Sequence, residues 1–148
     1  MPANPTCQVS FYTAVPERLA YVCRLLRRAQ QTGAHIGVCG SANLLERLDK
    51  ALWSFEATEF VPHLRLQAGA AADSRSAFTT ILLSEHCDAL PHREVLLNLG
   101  MAIPENFEQF QRVLEVVSID PEQVDAGRLR FRQYKHLGCA VSHHVVPS

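Results

Sequence analysis

With 148 residues, of which 47% are apolar and 20% charged, the chain has the size of one domain and enough apolar surface for a core, which excludes a disordered tract. A formal net charge of −1 excludes molecule-wide attraction to nucleic acid, so recognition of an anion must come from a local cluster. The apolar runs are too short for a membrane span, no charged-then-apolar leader opens the sequence, and Cys7, Cys23, Cys39, Cys87 and Cys139 are dispersed without a C-x-x-C pair, so a cytoplasmic protein with reduced thiols is expected.

The first element, QVSFYTAV at 8–15, is rich in strand formers and stops at Pro16. Leu19, Val22, Leu26 and Ala29 then recur at helical spacing, with Pro16 and Glu17 suited to a first turn, Arg24, Arg27 and Arg28 to the negative end, and Gly33 to the stop. HIGVCG at 35–40 predicts a short buried strand. Ser41 predicts the N-cap of a second helix that turns Leu44, Leu45, Leu48 and Leu52 inward and Glu46 and Arg47 outward. EFVPHLRL at 59–66 predicts a third strand, which Pro62 confines to an edge or a strand end.

Residues 67–77 are small and polar and predict a loop, followed by a buried strand at TTILLS, a second loop at SEHCDALPHR, and another strand at EVLLNLG. Beyond that the reading is helical: ENFEQFQRVLEVV at 105–117, with Phe107, Phe110, Val113 and Leu114 on one face, and a further helix opened by Asp120, Pro121 and Glu122 and running to Gly138. The tail AVSHHVVPS adds a short edge strand or frays. Strands alternating with helices predict a single Rossmann-like α/β domain over 1–148, with a mostly parallel sheet covered by helices on both faces.

Such a fold invites a nucleotide. Gly37, Gly40 and Ser41 lie in a strand-to-helix turn, but the third glycine of G-x-G-x-x-G and the lysine of a P-loop are missing, so a tight turn is the cheaper reading. His86, Cys87, Asp88 and His92 form the densest group of metal-ligand types, yet the adjacent pair cannot easily share one ion and no second half-site follows; no metal and no cofactor is expected. Without G-x-S-x-G or a cysteine in an activating setting, no catalytic residue stands out. The acids read as solvated helix faces.

Two stretches remain. In RLRFRQYKHLG, Arg128, Arg130, Arg132 and Lys135 crowd together without an acid, and helical spacing puts Arg128, Phe131, Arg132 and Lys135 on one face. This is either a basic C-terminal turn complementing the helix dipole over a core Phe131, or a pocket for an acidic peptide ending in an apolar residue or a carboxylate. In DKALWSFEATEFVPH, burial tendencies make Trp53 and Phe60 core unless something else argues for an interface.

LDKALWSFEATEFVPH resembles the signature of the chi subunit family of bacterial DNA polymerase III, L-D-x-A-L-W followed by F-x-P-H. FYTAV, LLNLG and the basic helix (Arg128, Arg130, Phe131, Arg132, Tyr134, Lys135, Gly138) match that family in order; residues 64–93 match poorly. The resemblance implies a non-enzymatic adaptor with a Rossmann-like fold and no working nucleotide site. Such a protein pairs with the psi subunit, reaches the clamp loader indirectly, and grips the acidic C-terminal tail of single-stranded DNA-binding protein, ending in Asp-Ile-Pro-Phe or similar.

Carried over by residue, Arg128 clamps a carboxylate, Arg132 and Lys135 hold aspartates, Phe131 packs on the terminal apolar residues, and Arg130 makes up for Val124, where relatives can carry Lys. Trp53, Phe60, Val61 and Pro62 mark the partner surface, psi first. Direct DNA binding is expected to be weak, since no basic stripe with interleaved aromatics runs along the chain. The alternatives are a nucleotide-binding Rossmann-like enzyme, or a helicase or repair cofactor using the same partner surface.

Overall fold

A computed structural model describes residues 8–54, 63–65, 81–86, 90 and 93–146. Its elements are β1 (Gln8–Val15), α1 (Arg18–Thr32), β2 (Ile36–Cys39), α2 (Ala42–Ser54), β3 (Leu64–Arg65), β4 (Ile81–Ser84), β5 (Val95–Asn98), a 3-10 turn (Phe107–Gln109), β6 (Arg112–Ser118), α3 (Pro121–His136) and β7 (Ala140–Val145). The strands form one sheet in the order β3-β4-β2-β5-β6-β1-β7, with every neighbouring pair parallel.

Local chemistry explains most boundaries. Gly33 closes α1 with φ of 79°, a left-handed conformation that costs glycine no Cβ clash, and the chain reverses there through bonds to Ala29 and Gln30. Helix α1 begins at Arg18, after Pro16, and its arginines lie mid-helix rather than in the last turn. The Ser41 hydroxyl caps α2 by accepting from the Leu44 amide at 3.3 Å. Leu45, Leu48 and Leu52 are fully buried, as their spacing predicts. Where EFVPHLRL is described, at Leu64–Arg65, it is an edge strand beside β4.

The expected helix over 105–117 is not formed. After the 3-10 turn the chain extends as β6, between β5 and β1 in the middle of the sheet. A strand covered on both faces shows no polar alternation, so the run VLEVV carries little period of its own. Its single acid, Glu115, suggested a solvated helix face; instead it is fully buried. Consequently Phe107, Phe110 and Val113 belong to one side of the sheet and Leu114 to the other.

Helices α1 and α2 cover one face, packing Val22, Leu26, Leu45, Leu48 and Leu52 on Ile36, Val38, Leu97, Leu114 and Val116. Helix α3 covers the other near β6 and β1, with Tyr134 packed among Val9, Phe11, Val113 and Val117. Strand β1 therefore leads to a helix on one face while its neighbour β6 leads to a helix on the other. Parallel α/β sheets open a crevice at the carboxyl ends of such a strand pair. No helix among the described residues is long and apolar enough to cross a membrane.

Candidate functional site

A groove of about 610 Å³ opens between α3 and the ends of β1, β6 and β7. Phe11, Val117, Ile119, Val124 and Phe131 give it apolar walls, while Arg128, Arg132, Thr13 and His143 supply polar groups. Pro121 opens α3 at a position where its missing N–H costs nothing, and Lys135 and His136 end it where the dipole favours cations.

Gly127 sets the depth of the groove. A Cβ there would meet Val117 Cγ2 at 2.9 Å, closer than side chains pack, so only glycine lets α3 approach β6 at this point. One turn on, Phe131 meets Phe11 edge-to-face at 5.2 Å and His143 at 6.1 Å, while the Lys135 ammonium lies 5.1 Å from its ring centre. Phe131 is thus half-buried against the sheet and also forms a groove wall. His143 is fixed by a 2.6 Å hydrogen bond with Thr13 across the β1–β7 pair.

The exposed cations of α3 are Arg128, Arg132 and Lys135; Arg130 is not among them. It is 2% exposed and points into the core, where Nε donates to Glu115 Oε1 at 3.0 Å and Nη1 to the Met101 carbonyl at 2.9 Å. The expected compensation for Val124 by Arg130 is therefore corrected. Residue 130 lies about 200° around the helix from 128, because each residue turns the chain by about 100°.

Glu115 completes that buried network. Its second oxygen accepts from Tyr134 OH at 2.7 Å and Asn98 Nδ2 at 2.9 Å. Burial pushes the Glu115 carboxyl above the usual carboxylate range, and the Arg130 cation and the donated hydrogen bonds oppose that rise. Arg18, donating to Gln123 Oε1 at 2.9 Å and to the Leu99 carbonyl, joins the start of α1 to α3 and the end of β5. This network orients α3, and the sequence reading missed it. A lone acid inside an apolar run, facing a basic helix, is the signal that could have found it.

The other stretch behaves differently. Trp53 ends α2 and is 65% exposed, so the burial tendency that favoured core does not hold for it. Asp49 Oδ1 and His63 Nε2, the acid and the histidine of LDKALW and FVPH, are hydrogen-bonded at 2.6 Å, and the Trp53 ring meets the His63 ring edge-on at 5.9 Å. The bond ties the start of β3 back to α2. Phe60, Val61 and Pro62 lie outside the described residues, as do Cys7, Cys87, Asp88, His92 and the 67–77 stretch. Cys23 and Cys139 are free thiols, the Cys39 thiol donates to the Glu85 carbonyl at 3.5 Å, and burial pushes Cys23 up to about 11. Among the described residues no three His, Cys, Asp or Glu side chains gather as a metal site.

The family described as DNA polymerase III chi subunit, HolC, matches residues 7–142, which include every residue lining the groove except His143. The DNA polymerase III subunit chi of Pseudomonas aeruginosa is 32% identical over 145 residues, covering 95% of this chain and 97% of that protein. With nearly its full length matched on both counts, the chain belongs to the family of DNA polymerase III chi subunits.

Proposed function

We propose that the chain is a non-enzymatic adaptor of the DNA polymerase III holoenzyme, holding the acidic C-terminal tail of single-stranded DNA-binding protein in the α3 groove. Membership of the chi family makes it an accessory subunit in DNA replication. The observation that carries the finer reading is a groove with apolar walls and, at its rim, the exposed guanidinium groups of Arg128 and Arg132, which have no ion-pair partner among the described residues. A peptide that ends in an apolar residue and a carboxylate, preceded by aspartates, matches both parts.

In this reading the terminal ring of the tail packs on Phe131 and Phe11, Arg128 clamps the terminal carboxylate, and Arg132 and Lys135 face the aspartates. Val124 contributes apolar wall and no charge. The psi subunit takes the surface around Trp53, at the β3 edge of the sheet, opposite the β7 edge that borders the groove, and Phe60, Val61 and Pro62, which precede β3 in the sequence, are the other residues expected to meet it. The exposed Trp53 supports a protein partner there, since a lone large ring in water is a common anchor of an interface. Through psi the protein reaches the clamp loader.

A few exposed charge pairs and one ring give micromolar-range affinity, and salt screens it. The DNA-binding partner is a multimer, so avidity supplies useful strength. Titration of a labelled peptide ending in Asp-Ile-Pro-Phe tests the reading. Wild type binds at low salt and more weakly at moderate salt, and Arg128→Ala lowers affinity at least about tenfold, the range for losing a charged hydrogen-bond pair. Absence of wild-type binding at low salt refutes it.

A further inference from the structure

Strand alternation sends Phe11, Thr13 and His143 to the groove and Ser10, Tyr12, Ser142 and His144 to the opposite side of the same β1–β7 pair. On that opposite side Tyr12 stands between two rings. Tyr21 of α1 lies 6.1 Å away, and His144 of β7 is stacked on it at 5.2 Å with 20° between the planes. The row continues to Arg24, whose guanidinium lies 5.7 Å from the Tyr21 ring centre. Arg112, at the start of β6, donates from Nη2 to Ser10 Oγ at 3.2 Å and to Tyr12 OH at 3.4 Å.

Arg28 follows Arg24 by one helical turn, and its charge acts on the same ring. Burial and the Tyr12 hydroxyl raise the Tyr21 phenol, whereas Arg24 and Arg28 pull it down. Arg24, Arg28, Arg112 and His144 are all exposed, and none of these arginines has an ion-pair partner among the described residues. The surface thus combines unneutralised guanidinium groups with a ladder of rings. Its residues come from α1, β1, β6 and β7, which is why no basic aromatic stripe is visible along the chain.

We infer that this face contacts single-stranded DNA. Flat, unstacked bases find an exposed imidazole face at His144 and a tyrosine row beside it, and the three arginines meet the phosphates. A duplex keeps its bases stacked and uses only the charges. A peptide that offers only carboxylates likewise leaves the rings unused. DNA rather than RNA follows from the family, whose members belong to a DNA polymerase. The two faces of one strand pair then hold two different ligands, an acidic tail in the groove and the DNA strand behind it.

The test is fluorescence anisotropy of a labelled oligothymidylate of about 15 nucleotides, near the site size of small single-strand binders. Full-length wild type binds it in the micromolar range at low salt, and binding weakens as salt rises. The R24E/R28E double variant binds at least about tenfold more weakly, and His144→Ala about threefold more weakly. R128E, altered in the groove, keeps wild-type DNA binding, so this result is independent of the tail-peptide reading. An unchanged circular-dichroism melt of R24E/R28E excludes misfolding as the cause of its loss.

The inference is overturned by wild type that gives no signal at low salt, or by R24E/R28E that binds like wild type. Equal affinity for a duplex of the same length overturns the stacking argument, and tighter binding of oligouridylate assigns the face to RNA instead. An acidic peptide whose binding R24E/R28E abolishes, with no oligothymidylate signal, makes it a second protein site.

Discussion

Arg128 and Arg130 stand two positions apart on one helix and have opposite fates. Arg128 is exposed at the groove rim, where its charge is available to a ligand. Arg130 is spent inside, held by Glu115 and the Met101 carbonyl, and with Tyr134 it fixes which way α3 faces. Helix α3 thus has an outer face open to a ligand and an inner face that positions the helix. The lesson is that a run of basic residues cannot be summed into a binding charge until each side chain has been assigned a side.

The largest test of this contrast is to remove the inner cation. Arg130→Met leaves Glu115 buried without its counter-ion, and urea unfolding is expected to show a loss of about 3–5 kcal/mol. Arg128→Ala, on the rim, stays within about 0.5 kcal/mol of wild type in the same measurement. Combining Arg130→Met with Glu115→Leu recovers most of the loss, because no charge is then stranded. Equal stability of the two single variants would erase the distinction between the faces.

A middle-sized effect is expected at Gly127, where the inner face sets the geometry of the outer one. Alanine gains about 1 kcal/mol of helix propensity over glycine. Overpacking against Val117 costs about 1–3 kcal/mol, so a net loss of about 1 kcal/mol is expected from thermal unfolding of Gly127→Ala. The variant also weakens the tail peptide several-fold, because α3 lifts from β6 and opens the contact between Phe131 and Phe11. Unchanged peptide affinity would show that the groove tolerates this shift.

The smallest effect concerns Val124, on the groove wall. Val124→Lys adds one cation on the outer face, and an exposed charge pair contributes about 0.2–1 kcal/mol. Peptide titration is expected to show roughly threefold tighter binding at low salt and no gain at high salt. A gain that survives high salt would assign the effect to packing by the lysine stem.

The β-branched opening strand, the leucine spacing of α2, Ser41 as its cap and Gly33 as the stop of α1 were all legible, because each depends on contacts within a turn or two of chain. So was the outward trio Arg128, Arg132 and Lys135, since helical spacing fixes which residues share a face. Strand β6 was not legible: a strand buried on both sides has no amphipathic period, and one acid in it imitates a solvated face. Nor was Trp53, whose exposure depends on where α2 ends against β3 and not on the ring itself.

The sequence by itself determined the family, through LDKALW and FVPH, and the local elements that hydrogen bonds and apolar spacing dictate. The bond between Asp49 and His63 shows the physical basis of part of that signature. Only the tertiary structure decided which arginine is buried. It also decided that β1 and β7 present a groove wall on one side and an aromatic row on the other, with α1 and β6 completing that row. The reason is that burial and charge pairing are properties of space: Glu115 meets Arg130 and Tyr21 meets Tyr12 only once the sheet has brought distant segments together.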